Sequence, residues 1–272
     1  MNATSLKGKV ILAGAGPGDP ELISVKAVKW LQKADIVLAD RLVSRDLLNE
    51  YVSPKAQVIC VGKQGRYSLS TPQKKINQLM IDFSREGKTV VRLKGGDVSV
   101  FANLLDELQA LLENNIPYEI VPGISAALGA AAYAGIPLTA RNFANAVRLL
   151  TFYKNDIFSA DYWNELASTD DTLVFYMSSG TLDEIVGHLK QNGIAGDKYI
   201  AIVEQATTTQ QNVHVANIYQ HREELGDKEF ASPSLLIIGK VVALHEQFAW
   251  LRNSNSSEPY FEPADAFRRE AV

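Results

Sequence analysis

A single cysteine, Cys60, in 272 residues excludes any intrachain disulfide and fits a reducing compartment. Histidine is also scarce. His188, His214, His221 and His245 all fall in the second half without metal-ligand spacing, so each reads as a surface or locally bonded side chain, and no metal is expected. Positive charge is not in excess. Lys and Arg number 27 against 31 Asp and Glu, a net charge of −4, so no global basic field invites nucleic acid. An anionic ligand would need a local cluster of cations. Long hydrophobic runs are missing too. The stretch Ile120 to Ala140 is low in charge but rich in Gly and Ala and broken by Pro122 and Pro137. It suits a membrane span of about 20 strongly apolar residues poorly. The opening MNATSLKGKV lacks a signal peptide's apolar core and runs into a strand. Together these absences predict a cytoplasmic protein with neither membrane nor nucleic acid among its partners.

What is present is an ordinary globular composition, 46% hydrophobic and 21% charged, in a length that suits one large or two modest α/β domains. The first half alternates strand and helix. Strands are expected at Val10 to Ala13, Ile36 to Ala39, Gln57 to Val61, Thr89 to Leu93 and Tyr118 to Val121. Between them, Leu22, Val25, Val28 and Leu31 mark a helix over Glu21 to Lys33, and another opens at Thr71-Pro72 with Ile76, Leu79, Met80 and Phe83 inward. Such alternation predicts a parallel sheet with helical crossovers. After Gly135-Ile136-Pro137-Leu138-Thr139 the pattern changes. Val147 to Thr151, Thr172 to Tyr176, Tyr199 to Val203, Val213 to Ala216 and Leu235 to Ile238 read as strands, only some separated by helices such as Leu182 to Gln191, so a mixed sheet is expected. The expected organisation is an α/β domain over 1–137, a second over 138–252, and a polar, loosely ordered tail over 253–272.

Three small-residue loops follow strands of the first half. Gly14-Ala15-Gly16-Pro17-Gly18-Asp19-Pro20 invites a dinucleotide-fold reading, G-x-G-x-x-G, with Asp40 at the end of the next strand as the ribose acid. The third glycine falls one place early, however, and Asp19 would set a negative charge where a pyrophosphate docks. A tight turn in which Asp19 caps a helix and Pro20 enters its first turn fits whatever the function. In Arg92-Leu93-Lys94-Gly95-Gly96-Asp97, the glycines let backbone approach a ligand, and Asp97 offers a carboxylate to a cationic ligand or caps the turn. Val121-Pro122-Gly123-Ile124-Ser125-Ala126-Ala127 opens a helix of small residues. Loops at the C-terminal ends of strands form the usual ligand rim of an open α/β sheet.

Taken in order, GAGPGDPEL, Ala39-Asp40-Arg41-Leu42-Val43-Ser44, Val61-Gly62-Lys63, RLKGGD, VPGISAALGAAAYAGIPLT and Leu173-Val174-Phe175-Tyr176-Met177 resemble the tetrapyrrole methylase family, from about Lys7 to Leu244. Within it the resemblance is strongest to members that methylate carbons of uroporphyrinogen III. It implies a two-domain fold, a parallel sheet in the first domain and a mixed one in the second. The active site would lie in the cleft between them, with S-adenosylmethionine as methyl donor, no metal, and a homodimer as the assembly. It implies that Pro17, Gly95, Gly96, Asp97, Val100, Ser125, Ala126, Met177 and Ala206 hold the donor. Ser125-Ala126 stands for the family's Thr-Ala, and Ala206 for its Gly. It implies Asp40 as proton acceptor, Lys63 as proton donor, and Arg41 and Arg141 as basic positions facing substrate. The expected product is precorrin-2, methylated at two positions, on the way to sirohaem or cobalamin.

The chemistry agrees with this set. An activated sulfonium donor needs in-line placement and a shielded pocket rather than a nucleophilic triad. When a pyrrole carbon gains a methyl the ring becomes cationic, and a proton must then leave the macrocycle, which a placed carboxylate assists. The substrate's carboxylates need cations, and Arg41, Lys63, Arg66 and Arg141 are candidates. Taken without the resemblance, each is an ordinary surface charge.

The pattern departs from the family after GGD. Pro-Phe-x-Phe-Gly-Arg-Gly-Gly-Glu-Glu is here Val98 to Glu107, so an arginine tied to substrate contact or proton abstraction is Asn103, with Asp106 close by on the substrate side. Leu104 and Leu105 replace paired glycines and favour a continuous helix. Ala140, Tyr67 and Tyr153 stand where histidines are usual. These losses lie on the substrate side, so two alternatives stay open: a sister methyltransferase acting on a later corrin precursor or another acceptor, and a non-catalytic donor-binding protein.

Overall fold

A computed structural model describes residues 8–61, 71–152, 158–177, 180–226, 228–254, 256, 258–261 and 268–269. In chain order the elements are β1 (Lys9–Gly14), α1 (Val25–Leu31), β2 (Ile36–Ala39), α2 (Arg45–Tyr51), β3 (Gln57–Cys60), α3 (Gln73–Arg85), β4 (Thr89–Lys94), α4 (Leu104–Glu113), β5 (Tyr118–Val121) and α5 (Ala126–Tyr133). There follow β6 (Val147–Thr151), α6 (Ala160–Ser168), β7 (Thr172–Tyr176), α7 (Leu182–Gln191), β8 (Tyr199–Glu204), β9 (Asn212–Asn217), α8 (His221–Leu225), β10 (Ser234–Gly239), α9 (His245–Phe248) and β11 (Arg268–Arg269). They group into two compact units, Met1–Ser125 with Phe261–Val272, and Ala126–Tyr260.

The first unit is a sheet of order β11-β3-β2-β4-β1-β5, parallel throughout except at β11. Its strands read as unbroken apolar runs because both faces are covered. Ile11, Ala13, Val37 and Val91 pack against Leu31 and Leu47 on one face. Val10, Leu12, Leu38 and Val90 meet Ile76, Met80 and Leu111 on the other. The helix expected over Glu21 to Lys33 is divided. Asp19 caps a 3-10 turn at Pro20–Leu22, its carboxylate accepting from Glu21 N, and α1 starts afresh at Val25. The reason is Ser24, whose backbone is extended and whose hydroxyl accepts from Ala27 N at 3.2 Å, a new N-cap. Ser44 starts α2 in the same way.

The second unit is a sheet of order β6-β7-β10-β8-β9, with β6 and β7 parallel and the other pairs antiparallel. One face carries Leu173, Phe175, Ile200 and Ile238 against Trp163, Leu166, Ile185 and Leu189. The other carries Val174, Ala201 and Ile237 against Ala127, Ala130 and Ala134 of α5. This packing groups α5 with the second sheet, ahead of the boundary after residue 137 that the Gly-Ile-Pro-Leu-Thr segment led us to expect. The small residues of α5 let its backbone lie close to the sheet.

The described part of the tail is held, not loose. Asn253 exchanges hydrogen bonds with the backbone of Val213, 2.8 and 3.0 Å, and Gln205 does so with Glu258 O at 3.0 Å and Tyr260 N at 2.6 Å. An amide side chain of the tail thus satisfies the sheet's backbone, and one at the sheet's end satisfies the backbone of the tail. β11 then joins the edge of β3. No helix among the described residues is long and apolar enough to cross a membrane.

Candidate active site

In the first unit the loops after β1, β4 and β5 interlock. Gly16 and Gly96 exchange backbone hydrogen bonds at 3.2 and 2.7 Å, and Ala15 N donates to Lys94 O at 2.8 Å. A Cβ on Gly14 would lie 2.6 Å from Gly96 O and 2.7 Å from the Gly123 Cα, so only glycine admits this approach. Asp97 braces the third loop. One carboxylate oxygen accepts from Ser99 N at 2.8 Å and from the Ser99 hydroxyl, and the other accepts from Gly123 N at 2.9 Å. Burial pushes this carboxyl up, but the hydrogen bonds from Ser99, Gly123 and Val98 outweigh it, and it lies below the ordinary aspartate range. Asp97 thus ties the loop after β4 to the loop after β5. Pro17 is buried on this rim, as is Ser125.

Beside the rim, a cavity of about 230 Å³ is lined by Asp40, Arg41, Gly95, Val100, Phe101 and Asn103, among others. Asp40 follows β2, where its N donates to Leu93 O at 3.0 Å. Its carboxylate takes Arg92 Nη2 at 2.5 Å. Arg41 is partly buried, and burial lowers its pKa. No carboxylate pairs with it among the described residues, so it is a cation available to an anionic ligand. Asn103 lies exposed at the lip with a left-handed backbone, φ 51°, and Phe101 has φ 50°. The helix α4 starts directly after, at Leu104, as the paired leucines predict. Asp106 is exposed on its first turn and does not line the cavity. Lys63 and Arg66, with Tyr67 and Tyr153, lie outside the described residues.

Sequence reasoning gave no role to the buried charges beneath Asp40. Arg92 Nε donates to Glu107 Oε1 at 3.0 Å, Lys94 Nζ to Glu107 Oε2 at 2.6 Å, and Arg92 Nη1 to Leu38 O and Leu93 O, both at 3.2 Å. Burial lowers the pKa of Lys94, helped by Arg92 and opposed by Glu107. For Arg92 burial acts the same way, but Asp40 and Glu107 outweigh it and raise the pKa. The signal was available. Arg92 and Lys94 share one face of a strand buried on both sides, which demands a buried carboxylate.

In the second unit, Met177 follows β7 and Ala206 follows β8, strands that flank β10 and run the same way. Both residues therefore lie at one end of the sheet. Met177 is 49% exposed with φ 57°, and Ala206 is buried between Gln205 and Thr207, whose φ values are 46° and 67°. Ala127 N donates to the Tyr176 hydroxyl oxygen at 3.1 Å, which brings Ala126 to the same end. Arg141 is exposed in the turn before β6, a segment anchored at the opposite end of β7 by the Thr172 hydroxyl donating to Leu138 O at 2.7 Å.

Residues 9–221 match the family profile described as tetrapyrrole (corrin/porphyrin) methylases. The chain belongs to the tetrapyrrole methylase family.

A siroheme synthase of Pseudomonas putida (strain W619) is 42% identical over 251 residues, covering 92% of this chain and 54% of that protein. The chain thus spans about half the length of the curated relatives it matches. Uroporphyrin-III C-methyltransferase from Thermus thermophilus, solved with S-adenyl homocysteine, is 33% identical with a TM-score of 0.72, covering 86% of this chain and 93% of that one. A cobalt precorrin-4 methyltransferase of cobalamin biosynthesis is 27% identical with a TM-score of 0.75, covering 86% and 95%. For a tetrapyrrole methylase, the expected parallel and mixed sheets are those observed.

Proposed function

We propose that this chain transfers methyl groups from S-adenosylmethionine to two carbons of uroporphyrinogen III, giving precorrin-2. One observation carries the reading: the Asp40 carboxylate is fixed by Arg92 at 2.5 Å in a cavity it shares with the half-buried cation Arg41, which has no carboxylate partner among the described residues. A proton acceptor and a carboxylate receptor side by side are what a polycarboxylate macrocycle needs when it gains a carbon–methyl bond. The Thermus thermophilus relative and the siroheme synthases support the same acceptor.

The residues present fit the donor. Gly95 and Gly96 put no side chain at the end of β4, and Met177 is a half-exposed thioether at the end of β7. Pro17, Asp97, Val100, Ser125, Ala126 and Ala206 complete the set that would hold it. When bound, S-adenosylmethionine supplies an electrophilic methyl group on a sulfonium. Asp40 takes the proton that leaves the macrocycle once methylation has made it cationic, and Arg41 holds a substrate carboxylate. Lys63 as proton donor, Arg66 and Arg141 as further cations, Asn103 and Asp106 as substrate contacts, and a homodimeric assembly belong to the same reading.

The test is incubation with donor and uroporphyrinogen III, followed by product mass. A product heavier by two methyl groups is expected. Asp40→Asn should keep affinity for S-adenosylhomocysteine and lose roughly 10²–10⁴-fold in turnover. A wild type that binds donor and yields no methylated product overturns the acceptor assignment. Asn103, in place of the family's arginine, favours a second reading, a methyltransferase for a later corrin precursor. That reading predicts turnover with the corrin precursor alone.

A further inference from the structure

Asp40 does not stand on Arg92 alone. Every nitrogen of the Arg92 guanidinium is committed: Nη1 to two backbone carbonyls, Nη2 to Asp40, and Nε to Glu107. Glu107 is fully buried on α4, and its second oxygen neutralises Lys94 at 2.6 Å. Two cations and two anions therefore balance beneath the cavity. A buried charge left without its partner costs several kcal/mol, so the four charges must be kept together. Among the described residues, the charges facing Asp40 are Arg92 from β4 and Arg41 from its own loop, with Lys94 and Glu107 one contact further away.

We propose that Glu107 is a positioning residue for proton abstraction: it acts through Arg92 to aim the Asp40 carboxylate, and its second oxygen offsets the charge of Lys94 beneath the cavity. This deepens the function proposed above and rests on Asp40 as the proton acceptor. Without Glu107, Asp40 would face Arg92, Lys94 and Arg41 with no second anion of the cluster beside it, and a carboxylate in that field is a poorer base. Without Lys94, the balance tips the other way.

The test follows the Asp40 carboxyl carbon by NMR across a pH titration of the full chain. Glu107→Gln is expected to move the Asp40 midpoint down and Lys94→Met to move it up. Each shift should be on the order of one pH unit, the effect of one unit charge at an effective dielectric constant of about 20. The double variant Lys94→Met/Glu107→Gln, charge-balanced again, should return it toward wild type. A merely structural role gives neither opposite shifts nor recovery. In turnover, the acid limb of the pH profile should move with the midpoint. An unmoved Asp40 in folded single variants overturns the proposal, as does a double variant that stays displaced. If Glu107→Gln does not fold, Lys94→Met decides alone. A wild type without methylated product overturns the acceptor reading and leaves this titration fully decisive.

Discussion

Replacing Asp97 with asparagine keeps the side chain's shape and removes its charge. The carboxylate accepts from Ser99 N, the Ser99 hydroxyl and Gly123 N, and the residue is 8% exposed. An asparagine retains one acceptor oxygen. Its NH2 must then face either the Ser99 donors or the Gly123 N–H, donor against donor. One charge-assisted hydrogen bond is lost, worth about 1.5–3 kcal/mol, and a buried donor is left unmet at about 1–3 kcal/mol. Relaxation recovers part, so a loss of about 2–4 kcal/mol is expected at neutral pH, or roughly 4–12 °C in the unfolding midpoint. The pH dependence has a definite sign. The Asp97 carboxyl is depressed in the folded protein, so its contribution is complete above the unfolded aspartate value of about 3.9 and is lost as pH falls through the lower folded value. The gap between wild type and Asp97→Asn should therefore be full at pH ~7 and close progressively below pH ~4. Circular dichroism melts at a series of pH values read it directly, with S-adenosylhomocysteine calorimetry reporting the rim. Equal melting at neutral pH, or a gap that persists undiminished in acid, would refute the account of Asp97 as a brace.

Gly123→Ala should destabilise by about 1–3 kcal/mol or more and weaken donor binding, because its Cβ would strike Gly96 O and lie 2.9 Å from the Gly14 Cα; denaturation and calorimetry test it. Glu119→Gln should cost stability at neutral pH and nothing near pH 2. Hydrogen bonds from Lys26 and Lys9 hold that carboxyl down at about 2, so its contribution is lost only as pH falls from the ordinary glutamate range toward that value. Arg41→Gln should raise the Michaelis constant for the tetrapyrrole roughly ten- to a hundredfold with a smaller change in turnover number, the weight of one charge-assisted contact, measured by steady-state kinetics.

The strands were legible because their apolar runs admit few alternatives: Ile36 to Ala39 and Thr172 to Tyr176 are the observed β2 and β7. The division at Ser24 was less so, since the spacing of Leu22, Val25 and Val28 continues across a cap that only the extended backbone reveals. The helix α6 was not read at all. Its buried Trp163, Leu166 and Ala167 are a short apolar stripe in a polar surround. At the site, the glycine loops announced themselves, but Asp97's turn inward did not, because a carboxylate beside glycines looks the same whether it serves a ligand or a neighbouring loop. Glu107 was hidden for a different reason. Its partners Arg92 and Lys94 are far away in sequence, and a glutamate in the first turn of a helix is ordinary by itself.

The order of strands also constrains how the protein is made. β1 lies between β4 and β5, with Lys9 beside Thr89 and Val10 beside Tyr118, while β2, the next strand synthesised, is across β4 from it. The apolar segment Val10 to Ala13 is thus made well before both of its partners and stays exposed to collapse or to capture by a chaperone until they emerge. Synthesis stalled before Val121 leaves the sheet's inner strand with an open edge. Because Gly14, Gly96 and Gly123 close on one another, the interlocked rim should form in one step during translation, when the last of the three loops has emerged, and not by degrees.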